Sequence, residues 1–217
     1  MTKQLMITIS AEHAFNILDG KKTLELRTWI PKGYMGWVNA YVTKNKPYLI
    51  RAENYDGGWI NKNKGPYLLL ETLVQNYHVE ILNGKVAFRF WFDEYDTLTY
   101  EDFWDRHDYI ANDGEVGWEV DSDYIKLFCL DYQDILDYGF REKPHRHQVD
   151  LFAWHIKKLE VFDTPKKLGE FQNYVGKVDD TPEWAITSSW QIFHRPLEKG
   201  PQKMQWVCVK KSEKDRS

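Results

Sequence analysis

The feature that most constrains the fold is a change of hydrophobic period at Gly20. Before this glycine, apolar side chains recur at helical spacing over residues 11–18, behind a short predicted strand at residues 5–9. After it, polar and apolar residues alternate over residues 23–27, which is typical of a half-buried strand. Gly20 itself occupies the place of a C-terminal helix cap. The sequence therefore predicts the order strand, helix, strand around one glycine.

Alternation of polar and apolar residues recurs further along the chain. It predicts strands at residues 37–43, 85–92, 149–162 and 205–210. If the strands at 23–27 and 37–43 are neighbours, their polar positions share a face. The residues expected to line that common surface are Glu25, Arg27, Asn39, Tyr41 and Thr43.

The intervening segments predict loops and helices. Residues 44–66 are rich in Lys, Asn, Gly and Pro, which indicates a long loop, and the apolar run at 68–74 predicts a helix. Residues 100–138 are predicted to hold two or three helices, and a short helix is predicted to begin at Pro165. Short strands scattered among helices favour an α+β fold: a small mixed β-barrel with a helical insertion and flanking helices.

Composition narrows the classes of partner. The net charge of −4 over 217 residues disfavours long duplex DNA, which is bound largely through positive charge. Aromatic residues make up 16% of the chain, enough to line a pocket that stacks a flat ligand such as a nucleobase. There is no phosphate-cradling, dinucleotide or nucleophile-elbow motif, so neither a cofactor nor a metal is predicted.

Cysteine use and hydropathy bear on the compartment. Cys129 and Cys208 form no metal-ligand spacing, and two cysteines are too few for a disulfide framework, so both are expected to be reduced. No apolar run approaches the length of a membrane span, and the N-terminus lacks the apolar core of a signal peptide. These features predict a cytoplasmic protein that does not contact a membrane.

The residues around Gly20 carry a resemblance to a known family. Gly20, Lys22, Glu25 and Arg27 spell GxKxxExR, which resembles the signature of the ASCH domain family, whose fold is a β-barrel similar to the PUA domain. The segments LNGKVAFRF, CLDYQDILDY and AWHIKKLEVFDTPKKLGEF resemble the longer ASCH proteins of bacterial prophages and phages. The resemblance covers residues 5 to about 210. It implies a single domain over residues 1–217, with an insertion at about 44–148 and a disordered tail at 211–217.

The resemblance implies a module that binds RNA or a modified nucleotide in a cleft beside the motif. Arg27 or Lys22 would contact phosphate, Glu25 could accept an exocyclic amine, and an aromatic ring beside an amide could stack a base and read its edge. The residues expected to bind the ligand are Lys22, Glu25, Arg27, Asn39, Tyr41 and Thr43.

Two alternatives remain open beside the binding module. Some ASCH proteins resemble amidohydrolases that deacetylate N4-acetylcytidine with a lysine and a threonine, and others have been proposed as ribonucleases. In such an enzyme Lys22 and Glu25 would be the acid–base pair, with Glu25 standing where the deacetylating members have threonine. The second alternative is a phage regulator that acts through protein contacts of the helical insertion. The oligomeric state is not predicted.

Each candidate residue also has a structural interpretation. Lys22 could be a solvated lysine after a turn, and Glu25 with Arg27 a surface ion pair. His155 could be a buried, satisfied histidine, since it and Trp154 face opposite sides of a strand. The acidic cluster Asp93, Glu94 and Asp96 could hold a magnesium ion in a nuclease, or it could be a charged strand end. His145 and His147 are expected to lie in a solvated loop.

Overall fold

The computed structural model describes residues 3–31, 33–52, 67–72, 79–99, 122–140, 150–173 and 204–209. Within these ranges the strands are β1 (Lys3–Ile9), β2 (Leu24–Arg27), β3 (Gly36–Val42), β4 (Tyr48–Ala52), β5 (Tyr67–Leu70), β6 (Val79–Ile81), β7 (Val86–Phe92), β8 (Tyr95–Leu98), β9 (Leu151–His155), β10 (Lys158–Lys166), β11 (Phe171–Asn173) and β12 (Met204–Val209). The helices are α1 (Ala11–Leu18), α2 (Ser122–Lys126) and α3 (Tyr132–Ile135), followed by a π-helical turn (Leu136–Phe140) and a 3₁₀ turn (Leu168–Glu170). The predicted α+β class is confirmed, whereas closure into a barrel stays a prediction.

The chain divides into two compact units. The first comprises Met1–Ala11, Trp37–Arg89 and Glu160–Ser217, and the second comprises Glu12–Gly36 and Phe90–Leu159. The predicted insertion at about 44–148 stays a prediction. None of the described helices is long and apolar enough to cross a membrane.

Two sheets account for most of the first unit. The larger sheet has the strand order β10-β7-β3-β1-β12-β11, with β1 parallel to β3 and antiparallel to β12. Leu5 and Ile7 on β1 pair with Val38 and Ala40 on β3, and all four side chains are buried. A smaller sheet has the order β5-β4-β6. From β4, Arg51 pairs with Glu80 and donates to the carbonyl oxygen of Phe162 at 3.0 Å.

A three-stranded antiparallel sheet, called sheet B below, forms the centre of the second unit. Its order is β2-β9-β8, with Leu26 opposite Ala153 and Ala153 opposite Asp96. Because side chains alternate along a strand, one face of sheet B is apolar and is covered by the segment 122–140. The buried residues of this core are Leu24, Leu26, Leu98, Phe128, Ile135, Phe140, Leu151 and Ala153.

The helical segment 122–140 fits closely against sheet B. Asp131 caps α3 by accepting from the N–H of Asp134 at 2.7 Å, while the Asp134 side chain accepts from the N–H of Asp131 at 3.3 Å. Leu151 fills the space that a Cβ atom at Gly139 would occupy, at only 2.5 Å. The π-helical turn can therefore approach β9 only because residue 139 lacks a side chain.

Several predictions from periodicity agree with these elements. Strands lie at residues 3–9, 24–27, 36–42, 86–92 and 204–209, and α1 ends just before Gly20, whose φ of +76° is that of a left-handed cap. Helices are present at 122–126 and 132–135, within the segment predicted to be helical. The described residues do not include 53–66, which is most of the predicted loop at 44–66. They also do not include residues 100–121, His145, His147 and the tail at 211–217.

Two secondary-structure predictions in the first unit are wrong. The predicted loop at 44–66 contains strand β4, whose Leu49 and Ile50 are buried. The apolar run at 68–74 begins as strand β5 rather than as a helix. A short apolar run has no period that separates a strand from a helix, and here pairing with β4 decides in favour of a strand.

The segment from 149 to 170 also differs from its prediction. It forms two strands, β9 and β10, with a break at Ile156 and Lys157. Pro165 lies inside β10 instead of starting a helix, and the helical turn begins only at Leu168. Because β10 is at the edge of its sheet, a proline there need not remove a ladder hydrogen bond.

The predicted pairing of residues 23–27 with residues 37–43 is wrong. Strand β2 pairs with β9 in sheet B, whereas β3 lies between β7 and β1 in the six-stranded sheet. Neighbouring strands along the chain usually pair, but both strands here find partners that are distant in sequence. The common surface of Glu25, Arg27, Asn39, Tyr41 and Thr43 was expected only if these two strands paired, and they do not.

Candidate functional site

The end of α1 fixes the position of Lys22. The carbonyl oxygen of Asn16 accepts from the backbone N–H groups of both Lys21 and Lys22 at 2.9 Å, which closes the helix around Gly20. The next two N–H groups, of Thr23 and Leu24, donate to the carbonyl oxygen of Leu127 at 3.0 and 3.1 Å. The motif is thus held on one side by its helix and on the other by the turn after α2.

Lys22 is buried rather than solvated, with only 2% of its surface exposed. Its ammonium group donates to the carbonyl oxygen of Phe128 at 2.8 Å and lies 3.4 Å from Oε2 of Glu25. Oε1 of Glu25 forms an ion pair with Nη2 of Arg27 at 2.6 Å. The three motif side chains Lys22, Glu25 and Arg27 therefore form one cluster, called the Glu25 cluster below.

The charges of the Glu25 cluster set the protonation of its carboxylate. Burial would raise the pKa of Glu25, but the positive charges of Arg27 and Lys22, with a smaller effect of His13, hold that pKa below its ordinary value. Burial and the charge of Lys22 lower the pKa of His13 on α1. The cluster therefore keeps an ionised carboxylate between two cations in a buried position.

An aromatic layer continues the Glu25 cluster across sheet B. Glu25 is directly opposite Trp154 on β9, and Trp154 is directly opposite Tyr95 on β8, so the three side chains share one face. Trp154 is fully buried and stacks on Phe92, with ring centroids 4.6 Å apart and planes 9° apart. Along the next row of the same face, Arg27 is opposite Phe152.

Among the described residues, the hydrogen bonding of Trp154 and Glu25 on this face is incomplete. The indole Nε1 of Trp154 has no acceptor, and Oε2 of Glu25 has no donor within normal hydrogen-bond geometry among the described residues. The 3.4 Å contact of that oxygen with Lys22 is an ion pair longer than the roughly 2.8 Å of a good charge-assisted hydrogen bond. An unpaired donor and an acceptor with only a long ion-pair contact thus belong to cross-strand neighbours.

The other predicted ligand residues lie in the first unit. Asn39 is buried, and its amide donates to Oε1 of Gln4 at 2.9 Å and to the carbonyl oxygen of Leu5 at 3.1 Å. Tyr41 is buried in an apolar cluster, and the N–H of Thr43 donates to the carbonyl oxygen of Ile9 at 2.9 Å. Roles for Asn39, Tyr41 and Thr43 in ligand binding stay predictions.

A second polar cluster lies on the opposite face of sheet B, beside the apolar core. Oδ2 of Asp96 accepts from the hydroxyl of Tyr124 at 2.7 Å and lies 2.9 Å from Nε2 of His155. Burial would raise the pKa of Asp96, but its hydrogen bonds to Tyr124 and His155 lower that pKa overall. Asp96, Tyr124 and His155 are called the Asp96 cluster below.

The acidic side chains that follow β7 contact separate partners and do not converge on one position where an ion could bind. Asp93 accepts from the indole of Trp91 at 3.2 Å, and Glu94 forms an ion pair with Lys157 at 2.5 Å. Among the described residues no group of three His, Cys, Asp or Glu side chains has the geometry to hold a metal ion.

Several residues at or beside the two clusters were not predicted from the sequence. Phe128, Tyr124 and Tyr95 meet the clusters through contacts distant in sequence, whereas His13 is close in sequence to Glu25 but has no pattern that marks it. Trp154 was recognisable as one of two opposite-facing residues, but its pairing with Glu25 spans 129 positions and is not encoded in the period of either strand.

Comparisons with known proteins were made for both sequence and structure. No family model matches the sequence, and no curated protein matches it significantly. The structure matches crystal structures of ASCH from Zymomonas mobilis and of two mutants of it. ASCH itself is 16% identical with a TM-score of 0.44, covering 94% of this chain and 86% of that chain.

For one mutant of the Zymomonas mobilis protein the identity is 16% and the TM-score 0.46, with 99% of this chain and 96% of that chain covered. For the other the identity is 15% and the TM-score 0.44, with coverages of 98% and 92%.

Proposed function

We propose that this chain is an ASCH-type, PUA-like module that binds RNA or a modified nucleotide beside the GxKxxExR motif. The observation that carries the proposal is that the buried Nε1 of Trp154 has no acceptor among the described residues, while Oε2 of its cross-strand neighbour Glu25 is held only by the long contact with Lys22. A buried polar group without a partner costs about 1–3 kcal/mol, so a ligand that satisfies both atoms gains that free energy on binding.

The chemistry of the two atoms suits the edge of a nucleobase. The indole of Trp154 is a donor only, and the ionised carboxylate of Glu25 is an acceptor only. Cytosine and adenine each carry an amino group next to a ring nitrogen that accepts a hydrogen bond, which complements this pair. Guanine and uracil also present a ring N–H next to a carbonyl oxygen, so we propose that the site binds the edge of a nucleobase, with the amino group of cytosine or adenine as one candidate donor to Glu25.

Arg27 is the member of the Glu25 cluster that suits phosphate. Its side chain is 17% exposed, against 5% for Glu25 and 2% for Lys22. An arginine held by a carboxylate on one side can still present other N–H groups to a phosphate oxygen. In this arrangement Lys22 fixes the carboxylate from inside while Arg27 meets the ligand from outside.

The contacts favour binding over hydrolysis. A general base works best when its pKa lies near the working pH, and the two cations hold the pKa of Glu25 below its ordinary value. Lys22 already donates to the carbonyl oxygen of Phe128, so its ammonium group is anchored to the backbone. The ionised carboxylate of Glu25 and the anchored ammonium group of Lys22 therefore suit ligand binding better than proton transfer.

Calorimetry with CMP, AMP, UMP and GMP at fixed salt tests the proposal. We expect at least one of the four nucleotides to bind, and the Arg27→Gln variant to bind it at least about tenfold more weakly, since a hydrogen bond to a charged group contributes about 1.5–3 kcal/mol. Arg89→Gln is the matched control, because Arg89 is also a half-buried arginine paired with a glutamate, Glu160. Equal affinities of the Arg27 and Arg89 variants would refute the assignment.

Turnover separates the hydrolase alternative from binding. Incubation with N4-acetylcytidine and with RNA, with and without magnesium, is expected to leave both intact. Product formation that disappears in Glu25→Gln would instead support an enzyme.

A further inference from the structure

We propose that Tyr95 and Phe152 form a stacking subsite for a second base, so that the ligand is a short single-stranded RNA instead of a lone nucleotide. This inference rests on the function proposed above and extends it along the same face of sheet B. It assigns to the module a second contact point beyond the GxKxxExR motif.

The register of sheet B places the two rings on the face of Glu25. Tyr95 is opposite Trp154, which is itself opposite Glu25, while Phe152 is opposite Arg27. Neighbouring strands lie about 4.8 Å apart, so Tyr95 is about 10 Å from Glu25 across two strand spacings. A base that places its edge at Glu25 therefore does not also cover Tyr95.

Exposure distinguishes Tyr95 from the other aromatic residues of this face. Trp154 is fully buried, and both Phe92 and Trp154 use their ring faces on each other. Tyr95 is 41% exposed. Its ring meets the half-buried ring of Phe152 edge to face, with centroids 5.9 Å apart and planes at 70°. An edge-to-face contact supports the tyrosine ring while leaving one of its faces available for stacking.

The neighbouring charge favours a nucleic acid over an apolar peptide as the occupant. Arg27 is directly opposite Phe152 and is partly exposed, so a cation lies beside the aromatic pair on the same face. Single-stranded nucleic acids are bound by this combination, in which aromatic rings stack bases and arginine or lysine contacts the backbone. The phosphate of the nucleotide at Glu25 would meet Arg27, which lies beside Glu25 on β2, and the ligand would then cross β9 to place its second base on Tyr95.

The same geometry selects single strands over duplexes. In a duplex both faces of every internal base are already stacked, so no base can lie on an exposed tyrosine without being unstacked. With a net charge of −4 the protein also has little long-range attraction for a duplex.

The test compares ligand length in the wild type and in two tyrosine variants. The probes are CMP, AMP, the hexamers (rC)6 and (rA)6, and a duplex RNA of six base pairs. In the wild type the better hexamer is expected to bind about tenfold or more tightly than its own mononucleotide, because stacking contributes about 1–3 kcal/mol per base. The duplex is expected to bind more weakly than the hexamer.

Tyr95→Ala is expected to remove most of that gain while leaving mononucleotide affinity within about twofold, and Tyr95→Phe is expected to keep it, because stacking needs the ring and not the hydroxyl. Tyr138→Ala is the matched control, since Tyr138 is equally exposed at 41% but lies on the segment that covers the other face of sheet B.

The outcomes separate this inference from the proposed function. Mononucleotide binding that depends on Arg27, combined with an unchanged hexamer affinity in Tyr95→Ala, overturns the stacking subsite and leaves the proposed function standing. Hexamer binding that is lost equally in Tyr95→Ala and Tyr138→Ala also overturns the subsite. Failure of every probe to bind the folded wild type overturns both.

Discussion

The two polar clusters of sheet B, on opposite faces, are each centred on one carboxylate, but they differ in the partners and in the burial of that carboxylate. The Glu25 cluster is held inside the protein, whereas the carboxylate of the Asp96 cluster keeps 41% of its side-chain surface exposed. A buried charge that loses its partner pays the full cost of desolvation, while an exposed one is solvated by water. Burial therefore makes Lys22, Glu25 and Arg27 interdependent, and exposure leaves Asp96 and His155 nearly independent.

The largest effect is expected when Lys22 is replaced by methionine. The variant leaves the carboxylate of Glu25 and the carbonyl oxygen of Phe128 without their buried ammonium partner. We expect the free energy of unfolding, measured by urea denaturation, to fall by about 3–5 kcal/mol. Lys21→Met is the adjacent control, because Lys21 is exposed and its ammonium group forms a surface ion pair with Asp19 and lies over the ring of Phe15. Similar unfolding midpoints for both variants would show that burial does not distinguish the two lysines.

A smaller effect is expected in the pH dependence of stability. The pKa of Glu25 is lower in the folded protein than the ordinary glutamate value of about 4.5, so its stabilising effect is complete above pH 4.5 and is lost as the pH falls through the folded-state pKa. The Glu25→Gln variant should therefore show a flatter decline of unfolding free energy below pH 4.5. Urea midpoints between pH 7 and pH 3 measure this slope.

His13 is expected to lower the free energy of unfolding at a higher pH than Glu25 does. Because its pKa is lowered in the folded protein, the unfolded chain binds a proton first as the pH falls below 6.5, and stability declines from that point.

The Asp96→Asn variant is expected to flatten the pH profile of unfolding free energy less than Glu25→Gln, since Asp96 is partly exposed. The reverse order of the two variants would contradict the contrast between the clusters.

The smallest effect is expected for Tyr124→Phe. This change removes one hydrogen bond to Asp96 and leaves the ring edge of Tyr124 against Phe128, with centroids 5.2 Å apart. We expect a loss of about 1 kcal/mol or less in unfolding free energy, because the acceptor is partly exposed. The pKa of Asp96, followed by NMR, should rise, since the Tyr124 hydroxyl lowers it. An unchanged pKa would mean that this hydroxyl does not hold the carboxylate.

The parts of the fold that were predictable are those with a strong local period. Helix α1, the cap at Gly20 and strand β2 follow one another in the sequence, and each is determined by neighbours within a few residues. The shared direction of Glu25 and Arg27 was predictable for the same reason, because residues two apart on a strand face the same side. Their ion pair at 2.6 Å confirms it.

The pairing of strands was not predictable from period alone. Strand β2 could have paired with any other half-buried strand, and its partner β9 lies more than 120 residues further along. The burial of Lys22 has the same origin, since its acceptor at Phe128 is 106 residues away. When a site is assembled by such distant contacts, only the part that is local in sequence, here the motif itself, can be recognised from the sequence.

The central claim is that the ligand binds at the buried pair formed by Glu25 and Trp154. Two-dimensional ¹H–¹⁵N NMR of the indole groups tests it most directly, with the signal of Trp154 assigned through the Trp154→Phe variant. On titration with CMP and AMP we predict that the Trp154 indole N–H resonance shifts further than that of Trp29, which is exposed. A Trp154 resonance that stays in place while calorimetry shows the nucleotide bound would contradict the account.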